Sequence, residues 1–233
     1  MAGKDTFASL GKIEAVRRLY EGTGYKAFDE PVEFRAAAHS LIVTASASFL
    51  EGVDFNLVYF PYKHLGYKAV VAVCAELYAA MAHPRTLTVR LGVSAKLDYE
   101  QISELWQGVV AAAREHGLRS VSLDLQPSRN GLAVSVSATG ETADLTARRR
   151  PAAKSKDLIC VSGPLGAAYL GLQVLEREKV RFESGASKSD ALEKYRMLVG
   201  AYLKPELSSK AVYALEETGI YPSCGYCVRH GLA

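Results

Sequence analysis

Hydrophobic and polar positions divide the chain into alternating and helix-spaced segments. The most apolar stretch runs from Leu65 to Arg85, Leu-Gly-Tyr-Lys-Ala-Val-Val-Ala-Val-Cys-Ala-Glu-Leu-Tyr-Ala-Ala-Met-Ala-His-Pro-Arg. Ala69 to Ala82 holds no Gly or Pro and a single charge, Glu76. A helix apolar nearly all round is a core helix, covered on more than one side. Pro84 is expected to end it, because the residue before a proline is pushed out of helical geometry. Leu41–Leu50 reads as a strand, and Thr86–Val93 as another whose alternation puts Leu87, Val89, Leu91 and Val93 on one face. Asp98–His116 is a helix with Asp98 as its cap, apolar positions from Ile102 to Ala113 at helical spacing, and Gly117 as its stop. Leu118–Leu125 and Leu132–Thr139 are two further strands around the turn Pro127–Gly131. Asp157–Ser162 reads as a short buried strand, turned by Gly163-Pro-Leu-Gly166 into a helix from Ala167 to Glu178. Helices follow over Asp190–Leu203 and Val212–Thr218, with Gly219 ending the second. Residues 1–40 are the least regular, with Ile13–Tyr20 as a short amphipathic helix. The order of elements gives α+β, with a mostly antiparallel sheet and helices on one face.

Composition changes this picture little. With 233 residues, 49% of them hydrophobic, the chain can bury a sizeable core. A net charge of +3 implies neither a nucleic-acid nor a membrane partner. No signal-peptide pattern opens the chain, no apolar run reaches about 18 residues, and the four cysteines make no disulfide scaffold, so a reducing cytoplasm is the expected compartment. Three places carry candidate chemistry. The strand–Gly-turn–helix at Gly163–Gly166 can present backbone N–H groups to an anion, although a tight turn alone explains the glycines. Arg148, Arg149, Arg150, Lys154 and Lys156 form either a solvated face or a phosphate-binding edge. Cys224-Gly-Tyr-Cys227 with His230 offers thiolates and an imidazole to zinc or to redox chemistry, or is simply two ordinary thiols. The aromatic group Tyr59, Phe60 and Tyr62 reads as packing at the start of the core helix rather than a stacking platform.

Four stretches together resemble the thiamine-monophosphate kinase family, within the superfamily that includes aminoimidazole ribonucleotide synthetase. Leu50-Glu-Gly-Val-Asp-Phe55 is similar to the family's Val-Glu-Gly-Val-His-Phe. Leu65-Gly-Tyr-Lys-Ala69 through Pro84-Arg85 resembles the family helix that begins Leu-Gly-Tyr-Lys-Ala and carries Asn-Leu-Ser-Asp. Asp157–Gly166 looks like Gly-Asp-x-Ile-x-Val-Thr-Gly-x-Leu-Gly, and Tyr202-Leu-Lys-Pro-Glu206 like Tyr-Leu-Arg-Pro-x. The resemblance implies an N-terminal α+β domain at 41–145, whose four-stranded sheet pairs with a partner's to form a dimer barrel. It makes 146–233 a partial second domain. It also implies transfer of the ATP γ-phosphate to thiamine phosphate, with Mg²⁺ ions held by a ring of aspartates.

The departures fall on those aspartates. The family's N-terminal Gly-Asp-Asp-Ala finds no counterpart in this reading. Further family acids fall on Ala47 and Ala167, and both acids of the second-domain motif are replaced within Tyr226–Leu232. The helix motif falls on Val73-Cys-Ala-Glu76, leaving Glu76 as a carboxylate of different length, and the Gly-Gly-Asp-Thr loop falls on Ser122-Leu-Asp-Leu125, leaving Asp124. Mg²⁺ needs hard oxygen ligands, which Ala, Val and Leu do not offer. Glu76 and Asp124 are therefore the candidate metal ligands, each weighed against pairing with a nearby Lys or Arg. Gly163, Gly166 and Arg149 are the candidate nucleotide contacts. The main expectation is a non-catalytic relative acting as a binding or structural subunit through its sheet. The alternative is a working ATP-dependent kinase of thiamine phosphate or a similar ester.

Overall fold

In the computed structural model the described residues are 7–27, 35–142, 153–186, 190–220, 222 and 225–228. Helices α1 (Phe7–Leu10) and α2 (Lys12–Tyr20) precede β1 (Leu41–Leu50), α3 (Tyr62–Ala79), β2 (His83–Ser94), α4 (Tyr99–Glu115), β3 (Ser120–Ser128) and β4 (Ala133–Thr142). A helical set follows: α5 (Ala167–Glu183), α6 (Ala191–Lys194), α7 (Arg196–Leu203) and α8 (Lys210–Glu217). The expected α+β fold with a four-stranded sheet is what forms. Strand order is β1-β4-β2-β3. The central β4 is antiparallel to both β1 and β2, whereas β2 and β3 run parallel. The sheet is therefore mixed, because α4 supplies the crossover that a parallel pair requires.

Helices α3 and α4 cover one face of the sheet. Their side chains Leu65, Val70, Val73, Leu77, Ile102, Leu105, Trp106 and Val109 pack with Leu87, Val89, Leu91, Val134, Val136 and Ala138. The two helices approach closely where each has a glycine. A Cβ on Gly66 would lie 2.0 Å from the Leu105 carbonyl oxygen, and one on Gly108 would lie 1.9 Å from that of Lys63. Helix α2 packs beside them, with Tyr20 donating to the Val121 carbonyl at 2.8 Å and its ring centroid 5.0 Å from that of Trp106. Helix α4 begins as the sequence predicts: the Asp98 carboxylate accepts from the Gln101 N–H, and the Gln101 side chain accepts from the Asp98 N–H.

Three sequence expectations are corrected. Helix α3 is not stopped by Pro84. It closes at Ala79, with Met81 in the left-handed region (φ 53°) and bonds from Met81 N–H to Tyr78 O and from Ala82 N–H to Leu77 O. That is a Schellman stop. Pro84 lies inside β2, opposite Gly140 of β4 at a register irregularity before Thr86 and ahead of the β3 pairing that starts at Thr86, a place in a sheet where a proline is tolerated. The strand expected over Asp157–Ser162 does not form. Leu158 and Ile159 are 89% and 93% exposed, since no strand among the described residues lies beside them. The helix expected over Asp190–Leu203 breaks at Tyr195 into α6 and α7. Helices α5 and α7 cross tightly at Gly171, whose Cβ would sit 2.0 Å from the Leu198 carbonyl oxygen. The C-terminal segment then follows α3. Tyr213 of α8 stacks on His83, and Gly225 abuts the Ala79 carbonyl. Helix α3 is thus covered by the sheet, by α4 and by this segment, as its all-round apolar sequence requires.

Candidate functional site

The two acids expected to hold a metal lie on separate elements. Glu76 stands exposed on α3, with no ion pair to any described residue. Asp124 lies on the edge strand β3 and accepts from the Lys12 ammonium of α2 and from Gln126 Nε2 at 2.9 Å. The Lys12 hydrogen bond, seconded by Gln126, holds the Asp124 carboxyl below its ordinary range. Asp124 is therefore paired with a basic residue and Glu76 is solvated. No group of three His, Cys, Asp or Glu among the described residues could hold a metal ion.

The acids of the Glu51–Phe55 motif serve the backbone. Glu51 Oε2 accepts from the Leu132 N–H at 2.7 Å, and Asp54 Oδ2 accepts from the Leu50 N–H at 2.8 Å. Gly52, at φ 81°, lets its N–H reach the Phe55 carbonyl at 2.8 Å. These contacts pin the loop that follows β1 against the chain just before β4.

The Gly163–Gly166 turn forms, with both glycines at positive φ and Gly166 as the N-cap of α5. It is exposed and has no strand before it. Arg149, its expected companion, lies outside the described residues, as do Arg148, Arg150, Cys224 and His230; Cys227 is half-buried.

What the tertiary structure assembles is a hydroxyl-lined sheet face opposite α3 and α4. Ser46 bonds Ser137 at 2.9 Å, Ser48 bonds Ser135 at 3.0 Å, and Ser122 donates to Thr88 at 3.2 Å. Arg90 stands exposed on the same face, opposite Asp124 and Ser135 in register. Ile42 and Leu50 add exposed apolar surface toward the two ends of β1. β1 was legible from the sequence as a strand, but the matching of hydroxyls across β1, β4, β2 and β3 depends on strand order.

A buried polar cluster at the opening of β2 had no signal in the sequence. His83 Nε2 lies 2.8 Å from both carboxylate oxygens of Glu216, and the His83 ring stacks on Tyr213 at 4.6 Å. Beside it Arg85 donates to Glu141 at 2.6 Å, and Glu141 also accepts from the Ala37 N–H at 3.1 Å. Burial pushes the Glu141 carboxyl up, but the bonds from Arg85 and Ala37 outweigh it and hold the group below its ordinary value.

Residues 29–142 match the family described as "AIR synthase related protein, N-terminal domain". This segment resembles the N-terminal domain of AIR synthase related proteins. The chain is also similar to thiamine-monophosphate kinases. The enzyme of Bacillus subtilis is 28% identical over 131 residues, which is 56% of this chain and 40% of that protein. That of Aquifex aeolicus is 26% identical over 174 residues, or 75% of this chain and 55% of that one. The chain thus spans about half the length of these relatives. A solved thiamine-monophosphate kinase from Stenotrophomonas maltophilia has the same fold, with a TM-score of 0.65 at 23% identity over 88% of this chain and 63% of that one. The solved complex "AaThiL complexed with AMPPCP and TMP" gives a TM-score of 0.63 at 22% identity, over 90% of this chain and 64% of that one. The family match opens at the adjacent acids Asp29-Glu30, which lie outside the described residues. No helix among the described residues is long and apolar enough to cross a membrane.

Proposed function

We propose that this chain is a catalytically degenerate, thiamine-monophosphate kinase-like protein. It works in the cytoplasm as a binding or structural subunit of a protein assembly. The observation that carries this reading is the state of Asp124. This acid, retained from the family's metal ring, already has its charge engaged by Lys12. Ala47 and Ala167 stand where further ring acids are expected, and neither offers an oxygen. The open hydroxyl face of the sheet is the surface for association, either with a second copy or with a full-length relative. Its serines pair with each other across β1 and β4, and its apolar margins at Ile42 and Leu50 suit a protein partner.

The competing reading is an active ATP-dependent phosphotransferase on thiamine phosphate, using Mg²⁺. It draws on the names of the relatives and on the acid pair Asp29-Glu30 at the head of the matched segment. Calorimetric titration with ATP and Mg²⁺, with ADP formation followed in the presence of thiamine phosphate, separates the two. The degenerate subunit gives neither saturable heat nor turnover. Saturable binding with thiamine phosphate-dependent turnover would overturn that reading in favour of the kinase.

A further inference from the structure

Three of the stretches that carry the family resemblance meet at one side chain. Lys68 of α3 is half-buried, with its ammonium 3.7 Å from the ring centroid of Tyr202 and 5.1 Å from that of Phe60. Those two rings meet edge to face at 5.6 Å. The Tyr202 hydroxyl donates to the Asp54 carbonyl oxygen at 3.3 Å, which ties α7 to the Glu51–Phe55 loop. One residue before Lys68, the Tyr67 ring is faced by the Lys204 ammonium at 5.0 Å. The exchange is reciprocal, since Tyr67-Lys68 gives a cation to Tyr202 and takes one from Lys204. Nearby, the Tyr59 hydroxyl donates to the Glu176 carboxylate and so brings in α5.

Burial opposes a charged ammonium, and electron-rich ring faces return part of that cost. No carboxylate lies within ion-pair distance of Lys68 among the described residues, so the rings and the more distant Asp54 charge take that role. A lysine held in this way specifies where two aromatic side chains must sit. Helix α3 meets α7 and the following Lys204 through these ring–cation pairs.

We infer that Tyr67-Lys68 and Tyr202-Leu-Lys204 form a reciprocal cation–π clasp that docks α5 and α7 onto α3 and the Glu51–Phe55 loop. The clasp fixes the second half of the chain against the end of the sheet, and its opening frees α5 and α7 while leaving the sheet, α3 and α4 folded. This assigns a positioning role to motif residues that no metal or nucleotide chemistry uses, and it stands independently of whether the protein is a kinase.

Amide hydrogen exchange at neutral pH on the full chain tests it, using Lys68→Met, Tyr202→Leu and the double variant. Each single variant should speed exchange in residues 196–203 by roughly three- to ten-fold, and the double should exceed the faster single only slightly. Peptides from α4 and the central strands should keep their protection. Effects that multiply in the double variant, or equal loss of protection in α4 and α7, would overturn the clasp. Lys204→Met changes an exposed residue and so keeps the test open if a core variant does not fold. It should speed exchange in the same segment by about two- to five-fold, and unchanged exchange there would also overturn the proposal.

Discussion

At the scale of single residues, burial decides what each charge does. Lys68 is the clearest case. Desolvation pulls its ammonium down to about 8, from an ordinary 10.5, while the Asp54 charge pulls the other way. As pH rises past about 8 the folded state releases this proton first, and the unfolded state holds it until about 10.5. The unfolded state then binds more protons, so this group adds stability as pH rises through that window. We expect the urea midpoint of the protein to rise between pH 7.5 and 9.5 relative to that of Lys68→Met, in which the increment is absent. A difference that is flat or falling with pH would contradict the burial argument. Asp124 illustrates the opposite case, an accessible acid whose charge is answered by Lys12 across the sheet edge. The sequence names both residues but not their partners, which lie 134 positions from Lys68 (Tyr202) and 112 from Asp124 (Lys12).

At the scale of elements, local signals read well wherever the chain supplied its own stop. Helix α4 follows its sequence nearly to the residue, because Asp98 and Gln101 cap one end and Gly117 takes the left-handed conformation after the other. Helix α3 was legible as a core helix, but its end was not. A methionine fills the left-handed position usually given to glycine, and the proline three residues on belongs to a strand. The glycines within the helices carry a second lesson. Glycine in a helix costs about 1 kcal/mol against alanine, so Gly66 and Gly108 read as weaknesses. In the fold they are what lets α3 and α4 touch backbone to backbone. Gly66→Ala should therefore destabilise the protein despite alanine's better helix propensity, by about 2–4 kcal/mol, because the Leu105 carbonyl leaves no room for a Cβ. Chemical denaturation of the purified variant measures this, and a neutral or stabilising change would show that the crossing can relax.

At the scale of the whole molecule, a sheet domain that matches the AIR synthase related N-terminal domain over residues 29–142 is followed by a helical segment that packs along α3. The open hydroxyl face is the surface we propose for assembly. Ser137→Arg places a long charged side chain on that face, on a central strand and beside Ser46. We expect sedimentation to shift from an oligomer to the monomer while the circular dichroism of the fold is retained. A monomeric parent protein, or an oligomer indifferent to this change, would move the partner surface elsewhere. The sequence by itself determined the four sheet strands, the two main helices, the apolar face of β2 and of α4, and the resemblance of the sheet domain to a known family. All of these follow from periodicity, caps and short motifs read within a few residues. Only the tertiary structure decided that 157–162 is not a strand, that Asp124 belongs to Lys12, that His83 meets Glu216, and that Tyr67-Lys68 closes on Tyr202 and Lys204. Each of those outcomes depends on a partner far away in the chain: a strand needs a neighbour to bond, and a buried charge needs a group that faces it.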